Sequence, residues 1–188
     1  MSHFPNKQFE GALYTFDHLR PVHIKLALNA DQSVMIDLHI SFGCHCFTEA
    51  FDVAVHRPDH RYTYRHETRA FNPLRYACSL QLGQVVRTML KGKIYNARES
   101  YTYTTQVSLA STIGPQSYSI FFNLERDKGK QTPTLRMFVK SAYVKALVAK
   151  PHAQSWRFVS LAGQIAGVFA SKEKNPKPAK KNQKKKAP

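Results

Sequence analysis

The sequence predicts an α+β domain: an antiparallel β-sheet, made of an N-terminal hairpin and a C-terminal three-stranded meander, packed by one or two helices and followed by a disordered basic tail. Three observations carry this. Apolar residues alternate with polar ones along residues 22–42, recur at spacings of three and four after Asn72-Pro73, and alternate again in three segments between residues 101 and 144.

In the first segment Val22, Ile24, Leu26 and Leu28 alternate with His23, Lys25 and Ala27, and Asn29-Ala30-Asp31-Gln32 supplies the turn of a hairpin. The second strand then places Val34, Ile36, Leu38, Ile40 and Phe42 on one face, so Asp37, His39 and Ser41 share the other. Residues 56–71 lack an apolar period and are rich in Arg, His and Tyr, with a short strand expected at 61–65. Asn72 is a plausible N-cap and Pro73 a first helical residue. Leu74, Cys78, Leu82, Val85 and Met89 follow as one apolar stripe, predicting a helix that ends at Gly92. Strands are expected at 101–110, 118–125 and 134–144, linked by turns containing Gly114-Pro115 and Asp127-Lys128-Gly129. Residues 155–170 read as a helix, although 156–159 fit a strand equally well.

The 188 residues carry 28 Lys+Arg and 12 Asp+Glu, a net charge of +16, which points to a polyanionic partner, nucleic acid before anionic membrane. Residues 171–188 hold eight Lys, one Glu and no aromatic or large aliphatic side chain, too little apolar surface to offset ordering. They read as a disordered tail whose Lys172, Lys174, Lys180, Lys181, Lys184, Lys185 and Lys186 contact phosphate without geometry, or that merely solubilises. Removing that +7 leaves +9 on residues 1–170, a single basic domain. No signal peptide opens the chain and its longest apolar stretch falls short of the ~20 residues that span a bilayer, so an intracellular protein with reduced cysteines is expected.

Arg57, Arg61, Arg65 and Arg69 recur every fourth residue, with Tyr62 and Tyr64 between them. Guanidinium groups grip phosphate and tyrosines stack on unpaired bases, so this stripe is expected to bind RNA or single-stranded nucleic acid, against the blander reading of a solvated face. A second expectation is a metal-independent, toxin-like ribonuclease. If the hairpin's second strand runs on through Phe47, then Asp37, His39 and His45 project from its polar face, with Gly43 leaving room for a ligand. Beside Arg61 or Arg65 they could supply a base, an acid and a phosphate stabiliser. A basic adaptor in a ribonucleoprotein or mobile-element complex is the third.

No cofactor is expected: phosphate-loop, dinucleotide, serine-esterase and zinc-deaminase motifs are all missing. Cys44 and Cys46 continue the apolar face and read as core, so no metal site is expected; the alternative set is His56, His60, His66 and one thiol.

Overall fold

A computed structural model describes residues 4–97, 100–108, 114–145 and 154–170. Of these, 48% are strand and 20% helix, and the architecture is mostly β, not the antiparallel α+β domain expected. A seven-stranded mixed sheet has the order β12-β8-β9-β10-β11-β4-β3. Its strands are β3 (Val22–Ala27), β4 (Met35–His45), β8 (Lys93–Ala97), β9 (Ser100–Val107), β10 (Gln116–Arg126), β11 (Thr134–Val144) and β12 (Ser155–Arg157). Two small antiparallel sheets flank it: β1 (Lys7–Phe9) with β2 (Ala12–Tyr14), and β6 (Arg61–Tyr64) and β5 (Thr48–Ala50) on either side of β7 (Glu67–Phe71).

The expected hairpin (β3–β4) and meander (β9–β11) both form, and the correction lies in how they join. β4 runs parallel to β11, pairing Asp37 with Thr134 through Phe42 with Val139. Alternation reveals which face of a strand is buried, but not which strand lies beside it, so the parallel junction is invisible to periodicity. The same limit hides β1, β2, β5, β7 and β8, which are too short or too polar to show a period.

The single expected helix from Asn72 to Gly92 is two helices, α1 (Pro73–Ser79) and α2 (Leu82–Met89), broken at Leu80-Gln81. The predicted cap is present: Asn72 Oδ1 accepts from Arg75 N at 2.9 Å. Cys78, Leu82, Val85 and Met89 are buried as the stripe requires, but Leu74 is 41% exposed. At the C-terminal end both readings hold in part, because β12 ends at Arg157 and α3 (Phe158–Ala166) begins at the next residue. Among the described residues no helix is long and apolar enough to cross a membrane.

The core sits between the buried side chains of β4, β10 and β11 and those of α2 and α3, with Leu38, Ile120, Leu135, Met89 and Phe158 fully buried. A second knot of rings fixes the three-stranded sheet to the end of β4. Phe47 lies 4.1 Å from Phe16, 5.0 Å from Tyr62 and 5.1 Å from Phe4 between ring centroids. Each ring buried there contributes roughly 2 kcal/mol of transfer free energy, and together they hold the β6–β7 hairpin beside the last residues of β4.

Candidate functional site

β3 pairs with β4 only as far as Val22–Ile40, and among the described residues no strand takes its place beyond Ile40. Here the tip of the β6–β7 hairpin approaches β4 and β11, and the three elements enclose a cleft of about 710 Å³. β4 supplies Ser41, Gly43, Cys44 and His45, the hairpin supplies Tyr64, Arg65, His66 and Glu67, and β11 supplies Phe138 and Lys140.

Local geometry explains why these side chains meet. The registers on both sides of β11 slip at Lys140: Phe122 pairs with Val139 but Phe121 with Ser141, while Phe42 pairs with Val139 but His45 with Ser141. Such irregularities kink a strand and re-aim its side chains. Gly43 lies opposite the slip, and a Cβ there would stand 2.8 Å from the Lys140 carbonyl oxygen and 3.1 Å from the Phe138 ring. Glycine is therefore required by the close approach of β11, not by room for a ligand. At the hairpin tip Arg65 has φ +56°, a left-handed conformation that glycine usually occupies, and its guanidinium lies 5.2 Å from the centroid of the Tyr64 ring.

Behind the cleft the chain is braced by hydrogen bonds. Thr48 Oγ1 donates to the Cys44 carbonyl at 2.7 Å and accepts from Arg69 Nε at 2.8 Å, and Arg75 Nη1 donates to the Thr48 carbonyl at 2.7 Å. Arg69 Nη1 also donates to Glu67 Oε1 at 2.9 Å, and the same carboxylate lies 2.9 and 3.0 Å from His45 Nε2. Partial burial would raise the Glu67 carboxyl, but the hydrogen bonds from His45 and Arg69 and their charges hold it below its ordinary value. Burial, and then the Glu67 charge, push the Cys44 thiol up. Glu67 is thus neutralised within the wall, whereas among the described residues neither Arg65 nor Lys140 has a carboxylate partner. The cleft is cationic and has two aromatic walls, Tyr64 and Phe138, the latter 43% exposed.

The sequence-predicted residues divide. His45, Tyr64 and Arg65 line the cleft. His39 and Asp37 do not: the His39 ring lies tilted against His23 at 4.0 Å between centroids and His39 is paired across the sheet with Arg136, while Asp37 accepts a long 3.4 Å hydrogen bond from Thr132. They share a face with His45 but not a place, since six and eight residues of strand separate them by roughly 20 and 26 Å. The arginine stripe is folded back on itself by the turn at Arg65-His66, so its four members do not form one face. Arg57 is held by Glu10 and Asp59, Arg61 lies exposed over the Phe51 ring at 5.1 Å, and Arg69 is 13% exposed and committed to Glu67 and Thr48. Tyr62 is buried, donating its hydroxyl to the Pro5 carbonyl at 2.9 Å.

The alternative metal set is not gathered either. His56 binds Glu49 and lies 5.5 Å from His60 between rings, whereas His66 stands in the cleft, which neither of them lines. The tail lysines lie outside the described residues. Missed in the sequence were Phe138, Lys140 and Glu67. The available signal was an aromatic residue among the charges of β11's outer face, where Arg136, Phe138 and Lys140 alternate with buried Leu135, Met137 and Val139.

Fold and site together define a class, a mixed-sheet β protein with a cationic, aromatic-walled cleft where β4 outruns its neighbour β3. A family model described as the YjaZ family matches residues 6–166, and the chain belongs to that family. No curated protein and no solved structure matches it significantly.

Proposed function

We propose that this cleft binds RNA or single-stranded nucleic acid, one unpaired base lying against Phe138 and Tyr64 and the adjoining phosphates meeting Arg65 and Lys140. The observation that carries the reading is the pairing of two cations without a carboxylate partner among the described residues, Arg65 and Lys140, with the exposed Phe138 ring and the half-buried Tyr64 ring in one concavity. Aromatic stacking tolerates any base, and cations on either side follow the backbone, which is the chemistry single strands need. The Lys-rich tail adds salt-sensitive affinity without geometry. Fluorescence anisotropy of the full chain with an unstructured oligoribonucleotide tests this. The Arg65→Glu/Lys140→Glu variant is expected to bind about tenfold more weakly, whereas Arg57→Gln, at a site already neutralised by Glu10 and Asp59, should bind normally. Unchanged affinity in the double variant would overturn the reading.

One observation also supports strand cleavage: two imidazoles, His45 and His66, line the cleft with Arg65 and Lys140. Glu67 engages one ring nitrogen of His45 and leaves the other to exchange a proton. In this reading one imidazole takes the 2′-hydroxyl proton as the 2′-oxygen bonds to phosphorus. The phosphorus–O5′ bond breaks, the other imidazole protonates the departing O5′, and a 2′,3′-cyclic phosphate and a 5′-hydroxyl remain. His39 and Asp37 have no part in it. Cleavage of labelled RNA that is lost in both His45→Ala and His66→Ala supports this reading; binding without cleavage removes it.

A further inference from the structure

We infer that Cys44, His45 and Glu67 form a binding site for a divalent transition metal, zinc before others, in the wall of the cleft. Sγ of Cys44, a ring nitrogen of His45 and a carboxylate oxygen of Glu67 all lie within 4.8 Å of one another. Consecutive residues of a regular strand point to opposite faces, so Cys44 and His45 could not ordinarily serve one ion. They can here because the β4–β11 register slips between Phe42 and His45.

The donor chemistry narrows the ion. One thiol, one imidazole and one carboxylate suit zinc and its neighbours in the first transition series, while magnesium and calcium take oxygen donors. Three protein ligands leave a fourth tetrahedral position for water or ligand, and these three border an open cleft.

The support of the ligands is also that of a built site. Arg69 donates through Nη1 to Glu67 and through Nε to Thr48 Oγ1, and Thr48 donates to the Cys44 carbonyl. This continuous chain of hydrogen bonds ties the carboxylate of one ligand to the backbone of another, and such outer partners commonly decide metal affinity. In the structure the Cys44 thiol points at Glu67, 3.9 Å away. Binding exchanges the His45–Glu67 hydrogen bonds for metal bonds and releases the thiol proton to solvent. None of this depends on nucleic acid occupying the cleft.

Cobalt(II) is the probe, because its spectrum reports thiolate ligation directly. Chelator-treated full-length protein titrated with cobalt is expected to develop a near-ultraviolet thiolate-to-metal charge-transfer band and intense visible bands of a four-coordinate ion, saturating at one ion per chain and reversed by zinc. Cys44→Ser should abolish the near-ultraviolet band, while Cys78→Ser should retain it. Glu67→Gln alters an exposed side chain and should fold normally; its cobalt affinity is expected to fall about tenfold or more. A missing thiolate band at saturating cobalt, a band that survives Cys44→Ser, or unchanged affinity in Glu67→Gln would each show that the three residues form only an ion pair beside a buried thiol.

Discussion

Arg65 shows most clearly how a single residue can be kept at a cost in stability. A left-handed φ disfavours any residue with a Cβ by about 1–2 kcal/mol relative to glycine, yet the hairpin tip carries an arginine at φ +56°. Strain of this kind persists where a side chain is needed in one place. Arg65→Gly is therefore expected to raise the unfolding free energy by about 1 kcal/mol in urea titrations while weakening RNA binding; a variant both less stable and fully competent would contradict this. His18 offers a separate test at the same scale. Burial lowers its pKa, with the Asp17 charge acting in the opposite direction, and its Nε2 lies 2.8 Å from Ser79 Oγ, which itself donates to the Tyr76 carbonyl. Since Ser79 spends its proton on that carbonyl, neutral His18 carries its proton on Nε2. The unfolded chain takes up the second ring proton, at Nδ1, more readily, so stability is fully present above the ordinary histidine value of about 6.5 and declines as pH falls through the lowered folded value. Urea midpoints at successive pH values below that point should fall less in His18→Gln than in the parent protein.

At the scale of elements, the site depends on how β4 and β11 are pressed together. Gly43→Ala drives a methyl group into the Lys140 carbonyl and the Phe138 ring, and should destabilise the protein by about 1–3 kcal/mol. It should weaken RNA binding beyond that effect, because it displaces two residues that line the cleft. Calorimetric unfolding together with anisotropy would separate the two, and an unchanged melting temperature would show that the close approach is not rigid. The sequence already contained much of this region. Alternation located both faces of β4, identified Cys44 and Cys46 as core residues, and found β9, β10 and β11. It could not show that β11 lies beside β4, because a parallel partner nearly a hundred residues away leaves no turn to read. It also treated the shared face of β4 as one site. Shared parity guarantees a common direction, but the rise along the strand puts His39 and His45 in different neighbourhoods. The arginine stripe was misleading for the opposite reason: its regular spacing crosses a two-residue turn, after which Arg69 points into the wall and ties down Glu67.

For the whole molecule the charge of +16 separates into two kinds. Several body arginines are already spent on structure, Arg57 on Glu10 and Asp59 and Arg69 on Glu67. The cleft keeps Arg65 and Lys140, and the terminal lysines form a generic reserve. If the chain binds single strands as proposed, both kinds would release counterions, so log affinity should fall linearly with log salt, and Lys140→Gln should reduce the slope by about 0.7, the share of one phosphate contact. The cleft has aromatic walls whereas residues 171–188 contain no aromatic side chain, and that difference gives the most direct test of the central claim. Full-length protein bound to a uridine-rich oligoribonucleotide should be crosslinked by ultraviolet light and the attached peptides mapped by mass spectrometry. Crosslinks at Phe138 and Tyr64 are the predicted result; crosslinks confined to residues 172–186, with none on the hairpin tip or β11, would contradict the assignment of the cleft as the binding site.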